Sequence, residues 1–261
     1  MRKYDFEKPD TKRPEDKIKH RRNVFLSLSM FIVTILLVLM LLSTDIFDIK
    51  KISVFGNAKV SYNEIVRLSG VTVGQNIFEV NRRQLKNRLE NNPYLIVKEI
   101  KRRLPSELAI YVSERQGALI IEMSDGYELI DKEGICLEHI YNKDRMSLPM
   151  AIGINDAMFK DGENVTKQSQ KGQMLMDLYN ALDKYDFLSN VSTLDIRDEY
   201  DIIVTTNWGL QVKMGDSQNF ESKMKWVQAV LKDMASKGQS KPKGILSVAY
   251  SNQAVYTPPS K

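Results

Sequence analysis

Three carboxylates, Asp125, Asp131 and Glu133, fall within nine residues, and they are the first grouping in the chain that suggests chemistry. A carboxylate pair catalyses proton transfer when the two groups face each other across a cleft and one has a raised pKa. Here they lie in and beside the tight turn Asp131-Lys132-Glu133-Gly134, where Asp and Gly serve the backbone. No catalytic residue is assigned. Cys136 and His139, three residues apart, form the second grouping. A metal needs three or four ligands, and a chain with one Cys and two His has none nearby to complete the set. No metal and no cofactor are therefore expected. Cys136 lies in an apolar run and reads as a small buried hydrophobe; a lone thiol also rules out an intramolecular disulfide. Lys98, Lys101, Arg102 and Arg103 near Tyr94 form the third grouping. They read as a solvated strand face, or as a contact with anionic lipid or a partner, and no nucleic acid is expected. The nucleophile-elbow, zinc-protease, phosphate-loop and dinucleotide patterns are absent. Binding remains, without a small-molecule substrate.

The elements that must carry this chemistry begin with a membrane segment. The 261 residues are 43% hydrophobic and 27% charged, an ordinary globular composition with a net charge of +5. Val24–Leu42, with Val24, Phe25, Leu36 and Leu42 along it, holds nineteen residues and no charge. It would rise about 28 Å as a helix, close to the hydrocarbon thickness of a bilayer. A cleaved signal would be shorter and end in a small-x-small site, which Leu41-Leu42-Ser43-Thr44-Asp45 lacks. An uncleaved anchor over 24–43 is expected. Arg21 and Arg22 close a stretch in which nine Lys/Arg face five Asp/Glu, whereas only Lys50, Lys51 and Lys59 follow closely. The positive-inside rule then places the N-terminus in the cytoplasm and the C-terminal domains outside. Residues 1–23 lack apolar periodicity, contain Pro9 and Pro14, and read as a basic disordered tail able to touch anionic lipid.

Ile49–Phe55 is a β-rich run ended by Gly56-Asn57. Ser61 and Glu64 form a capping box that opens a helix stopped by Gly70. A second helix spans about residues 81–90, with Leu85 and Leu89 on one side, and Asn91-Asn92-Pro93 ends it. Two strands follow, Tyr94–Arg103 and Glu107–Glu114, the second with period-two alternation. The order β-α-α-β-β predicts a small three-stranded sheet with two helices on one face. Beyond it, Tyr127–Leu137 reads as a hairpin and Gln170–Tyr185 as an amphipathic helix. Val191–Arg197, Asp201–Thr206 and Leu210–Met214 read as strands, Phe220–Lys237 as a helix, and Ile245–Tyr256 as one closing strand.

Arg102-Arg103-Leu104-Pro105-Ser106-Glu107-Leu108-Ala109-Ile110-Tyr111-Val112-Ser113-Glu114-Arg115, placed after a single anchor, resembles the FtsQ/DivIB family of bacterial cell-division proteins. In that family a POTRA domain follows the membrane helix, and a similar string marks its last hairpin. Ile52-Ser53-Val54-Phe55-Gly56-Asn57 resembles the family's first strand and turn, and Tyr127–Gly134 its "Y-x-L-I-D-x-x-G" stretch. Gln116-Gly117-Ala118 stands where the family often has proline and then a small residue.

The expected fold is α+β. It has the tail 1–23, one N-terminal transmembrane helix, a β-α-α-β-β POTRA domain over 46–115, a C-terminal β-rich domain with two helices over 116–257, and a short end at 258–261. The resemblance implies a non-enzymatic division scaffold at the septum of the cell membrane. It also implies that the C-terminal strand region contacts FtsB/DivIC-like and FtsL-like single-pass proteins, with a septal peptidoglycan synthase as a further partner. An exposed strand can be extended by a partner's own strand; Leu246, Val248, Tyr250 and Tyr256 are the candidate partner-binding residues. The alternative is a POTRA-containing docking protein of a transport or sporulation assembly.

Overall fold

The computed structural model describes residues 14–142, 147–154, 159–250 and 253–259, with side chains from Arg21 onward. Helix α1 runs Pro14–Leu42, so residues 14–23, expected in an unstructured tail, are helical. Proline suits a first helical position because its missing N–H would have had no partner there. The rest of that tail, with Lys8, Lys12 and Arg13, lies outside the described residues. The most apolar 18-residue window within Arg21–Leu42 has a mean hydropathy of 2.9, and no residue in that window is buried by protein. Val24, Phe25 and Leu36 are 50%, 70% and 59% exposed, and Leu42 is half-buried. The hydroxyls of Ser27, Ser29 and Thr34 donate to Val24 O, Leu26 O and Met30 O within the helix. A helix apolar on every side, with its polar groups satisfied internally, suits a single membrane pass.

β1 (Lys51–Phe55), α2 (Tyr62–Ser69), α3 (Arg82–Glu90), β2 (Leu95–Arg103) and β3 (Glu107–Glu114) follow, and the three strands pair in the order β1-β3-β2. Because β3 is central, Ala109 is as fully buried as Leu108 and Ile110, and the alternation expected of a half-buried strand gives way. Ser61 caps α2 by accepting from Glu64 N–H at 3.2 Å. The reciprocal half of the capping box is absent: Glu64 pairs with Arg67 at 2.6 Å instead. Gly70, at φ 65°, ends the helix.

The family-like string at the end of β3 now has a physical meaning. Glu114 accepts from the backbone N–H of Ala58 (2.8 Å), Lys59 (2.7 Å) and Val60 (2.9 Å), holding the loop that precedes α2. Gly56, at φ 87°, opens that loop; a Cβ there would stand 2.1 Å from Val112 O, so only glycine fits.

The second sheet contains β4 (Gly117–Met123), β5 (Gly126–Asp131), β6 (Cys136–Ile140) and β7 (Met150–Ile152). After α4 (Val165–Gln168) and α5 (Gln170–Lys184) come β8 (Val191–Asp195), β9 (Ile202–Thr206), β10 (Leu210–Gly215), α6 (Phe220–Ser236), β11 (Gly244–Ser247) and β12 (Val255–Thr257). The nine strands lie in the order β12-β11-β10-β9-β8-β7-β4-β5-β6. Leu175, Leu178 and Leu182 of α5 and Met224 and Val227 of α6 share one core with Leu119, Leu194, Val204, Val212 and Leu246 from the sheet. Two compact units can be drawn, and the line between them crosses the three-stranded sheet. One gathers the chain up to Ser53 with Val71–Arg82 and Ile100–Ile110; the other holds Val54–Gly70, Arg83–Glu99 and everything from Tyr111.

Burial alone would raise the Glu114 carboxyl, but the N–H donors of Ala58, Val60 and Lys59 and the Lys59 charge outweigh it and hold the pKa down. A depressed carboxylate adds stability above its unfolded value of 4.5 and loses it as pH falls through the folded one. Glu114→Gln is therefore expected to cost about 1–3 kcal/mol at neutral pH. It should also flatten the acid limb of a denaturant-unfolding series, which is the measurement that checks it.

Candidate partner-binding edge

The closing segment differs from the single strand expected over Ile245–Tyr256. β11 pairs parallel with β10, from Leu210↔Gly244 to Lys213↔Ser247, and the chain then returns as β12, antiparallel to β11, with Leu246 opposite Tyr256. β11 is thus an interior strand and β12 the edge. Leu246 and Val248 are 1% and 0% exposed and belong to the core, so their side chains cannot meet a partner. Tyr250 is 70% exposed. Tyr256 is half-buried, and its hydroxyl donates to Lys243 O at 2.6 Å. The structure therefore separates the four candidates: two in the core, one at the surface, and one bracing the edge strand.

Residues outside the four candidates build this edge. Val255 is 52% exposed on β12. Gly244 (φ 113°) lets β12 approach closely, since a Cβ there would lie 2.4 Å from Thr257 O. Trp208 Nε1 donates to Pro242 O at 3.0 Å, fixing the loop that leads into β11. The polar run Ser251-Asn252-Gln253, interrupting the apolar pattern, was the available signal for two strands rather than one. Among the described residues no strand covers the outer side of β12. At the other end of the sheet, Cys136 N–H donates to Glu163 O (2.9 Å) and Gly162 N–H to Cys136 O (2.8 Å), so loop residues close part of the β6 edge.

The chemistry-bearing groups serve the scaffold. Arg115 Nη1 donates to Asp131 Oδ2 and Glu133 Oε2, while Asp131 Oδ1 accepts from the N–H of Glu133 (2.9 Å) and Ile135 (2.8 Å). Asp131 is 3% exposed. These two carboxylates and Tyr179 help line a cavity of about 340 Å³, but both carboxylates are already held by Arg115. His139 Nδ1 lies 2.7 Å from Glu128 Oε1. That hydrogen bond pushes the imidazole pKa up, while burial raises the pKa of Glu128. Cys136 is fully buried, and burial pushes its thiol up to about 12. Tyr94 hydroxyl donates to Glu138 at 2.6 Å, and Lys59 Nζ stands 4.0 Å over the Tyr94 ring. Of the basic run, Lys98 and Lys101 are exposed, Arg102 donates to Phe78 O and Val80 O, and Arg103 pairs with Glu107 at 3.5 Å.

The described chain thus combines an apolar helix of the length that suits one membrane pass, a β-α-α-β-β domain and a long mixed sheet whose last strand is an edge. Residues 47–115 match the family described as POTRA domain, FtsQ-type, and residues 119–250 match Cell division protein FtsQ/DivIB, C-terminal. The chain belongs to the FtsQ/DivIB family of cell-division proteins. It is 29% identical over 245 residues to a cell division protein DivIB of Clostridium botulinum, covering 92% of this chain and 94% of that one. It is 28% identical over 200 residues to a cell division protein FtsQ of Syntrophotalea carbinolica, covering 76% and 70%.

Leu246→Ala is expected to destabilise the fold by about 2–5 kcal/mol, because it opens a cavity in the core. Val255→Ala should stay within about 0.5 kcal/mol of the parent. Urea unfolding of the two variants side by side checks which strand is interior.

Proposed function

We propose that this chain is a non-enzymatic divisome scaffold, with its N-terminus in the cytoplasm and its two folded domains outside. It holds small single-pass division proteins of the FtsB/DivIC and FtsL kind at the septum and links them to septal peptidoglycan synthesis. The observation that carries this reading is β12, a terminal strand with an open outer side. A partner strand laid along it satisfies main-chain N–H and C=O groups, which supply affinity; the exposed side chains of Val255 and Tyr250 supply selectivity. Leu246 and Val248 act behind the edge, by anchoring β11 in the core. Arg21 and Arg22, preceding the apolar helix, set the orientation. The names of the relatives, cell division proteins all, support the assignment to division.

The test is co-purification of the detergent-solubilised chain with FtsB/DivIC-like and FtsL-like partners. It is run beside a chain ending at Gln253, which keeps Leu246 and Val248 but lacks β12, and beside Val255→Pro. Circular dichroism confirms that both variants fold. Loss of capture by at least about tenfold in both variants is the expected outcome. Undiminished capture moves the site off β12, and no capture by the parent chain removes the scaffold reading.

A further inference from the structure

The exit of α1 is stapled to two other stretches of the same compact unit. Leu42 O, a carbonyl at the helix end, accepts from Asn76 Nδ2 at 2.8 Å, and Asn76 Oδ1 in turn accepts from Phe78 N–H at 2.9 Å. Ile77 N–H donates to Phe47 O, Ile49 N–H to Gln75 O, and Gly74 N–H to Ile49 O, each at 2.9 Å. Lys50 N–H donates to Ser106 O at 2.8 Å. Residues 42–50, 73–78 and 104–106 are thereby held together at the point where the chain leaves its apolar helix.

Among the described residues, these three stretches carry large apolar side chains that remain exposed wholly or in part. Ile46 is 54% exposed, Val73 67%, Leu104 59% and Phe78 37%. Phe47 and Phe78 meet edge to face with centroids 5.2 Å apart, and Arg102, donating to Phe78 O and Val80 O, fixes the backbone beneath. A single exposed apolar residue needs no explanation. Four on segments bonded to one helix end form a grouped apolar surface.

We propose that this surface seats in the headgroup–acyl boundary of the bilayer that α1 crosses, so that the first folded unit rests on the membrane. The inference depends on the membrane-anchor reading of α1. Continuity selects lipid as the occupant: the surface shares a hydrogen bond with the last turn of the apolar helix and lies where that helix leaves the hydrocarbon. Charge at this end is mixed. Asp45, Asp48, Glu79 and Glu107 balance Lys50, Lys51, Arg102 and Arg103, so the seating is driven by apolar burial, not by attraction to anionic headgroups.

The test uses the full chain in phosphatidylcholine proteoliposomes with a thiol-reactive environment-sensitive fluorophore. The native Cys136 is fully buried with its thiol pushed up to about 12, and it stays unlabelled; the unsubstituted chain checks this. Labels go on Val73→Cys and Leu104→Cys, on Leu36→Cys inside α1, and on Tyr200→Cys, at a position 81% exposed and in the other unit. The quencher is a doxyl lipid carrying its nitroxide near the headgroups. Quenching at positions 73 and 104 that approaches the value at 36, persists in high salt and is absent at 200 is the expected result. Quenching at 36 alone overturns the proposal and leaves the anchor intact, whereas no quenching at 36 removes the anchor and the proposal together. Quenching at 73 and 104 that appears only with anionic lipid and fades with salt overturns the apolar mechanism. Adding Ile46→Asp and Phe78→Asp to the labelled Leu104→Cys chain must lower its quenching; an unchanged value means the fluorophore inserted by itself and overturns the proposal.

Discussion

Glu114 and Arg115 stand side by side at the end of β3 and bind in different directions along the chain. Glu114 gathers three backbone N–H groups of the 58–60 loop, and Arg115 gathers the carboxylates of Asp131 and Glu133 in the β5–β6 turn. Both are charge-assisted bonds, roughly twice as strong as neutral ones, and the Arg115–Asp131 pair is largely shielded from solvent. The backbone shares in the junction, since Arg115 N–H donates to Tyr94 O at 2.8 Å. Tyr94 in turn reaches Glu138 through its hydroxyl, and Lys59 reaches the same carboxylate at 3.4 Å while lying over the Tyr94 ring. The loop before α2, the end of β3, the start of β2 and the β5–β6 hairpin thus share one polar network. The departure at Gln116-Gly117-Ala118 falls just after it. At Gly117 a Cβ would stand 2.6 Å from Leu129 Cδ1, so a larger residue there requires the Leu129 side chain to shift.

From that junction the nine-stranded sheet runs to β12 at its far end. Its two ends differ. The β6 end is partly closed by bonds from residues 162–163 and by the isolated bridge between Ile135 and Asn164. Among the described residues the β12 end is left open after a parallel step from β10 to β11 and an antiparallel return. A parallel pair needs a crossover connection, here α6, and this crossover buries β11 with the core. Open edges are usually blunted by charge, proline or brevity. β12 is short and is followed by Pro258-Pro259, which limits indiscriminate pairing.

Much of the architecture could be read from residue pattern. The apolar run after Asn23, the Ser61 cap with its Gly70 stop, the Leu85/Leu89 pair and the Asp131–Gly134 turn are local signals. Each depends on contacts within a few residues, so composition and spacing are enough to identify it. The domain string ending in Glu114-Arg115 was legible as a resemblance. Its reason was not, because its bonding partners lie more than 50 residues earlier for Glu114 and beyond the next strand for Arg115.

The sequence by itself determined that the chain has one apolar helix, a β-α-α-β-β unit and a β-rich remainder, because helix and strand periods are written into nearest neighbours. Only the tertiary structure decided which strand is the edge. Ile245–Ser247 and Val255–Thr257 are both short β-prone runs with no local mark to separate interior from rim. The parallel pairing of β11 with β10 buries Leu246 and Val248 and leaves Val255 and Tyr250 outward. The same holds for the carboxylates. Asp131 and Glu133 look like chemistry in one dimension, and they become a structural clamp only when a distant guanidinium arrives between them. Periodicity is local, whereas edge position and charge pairing are set by contacts between residues far apart in the chain.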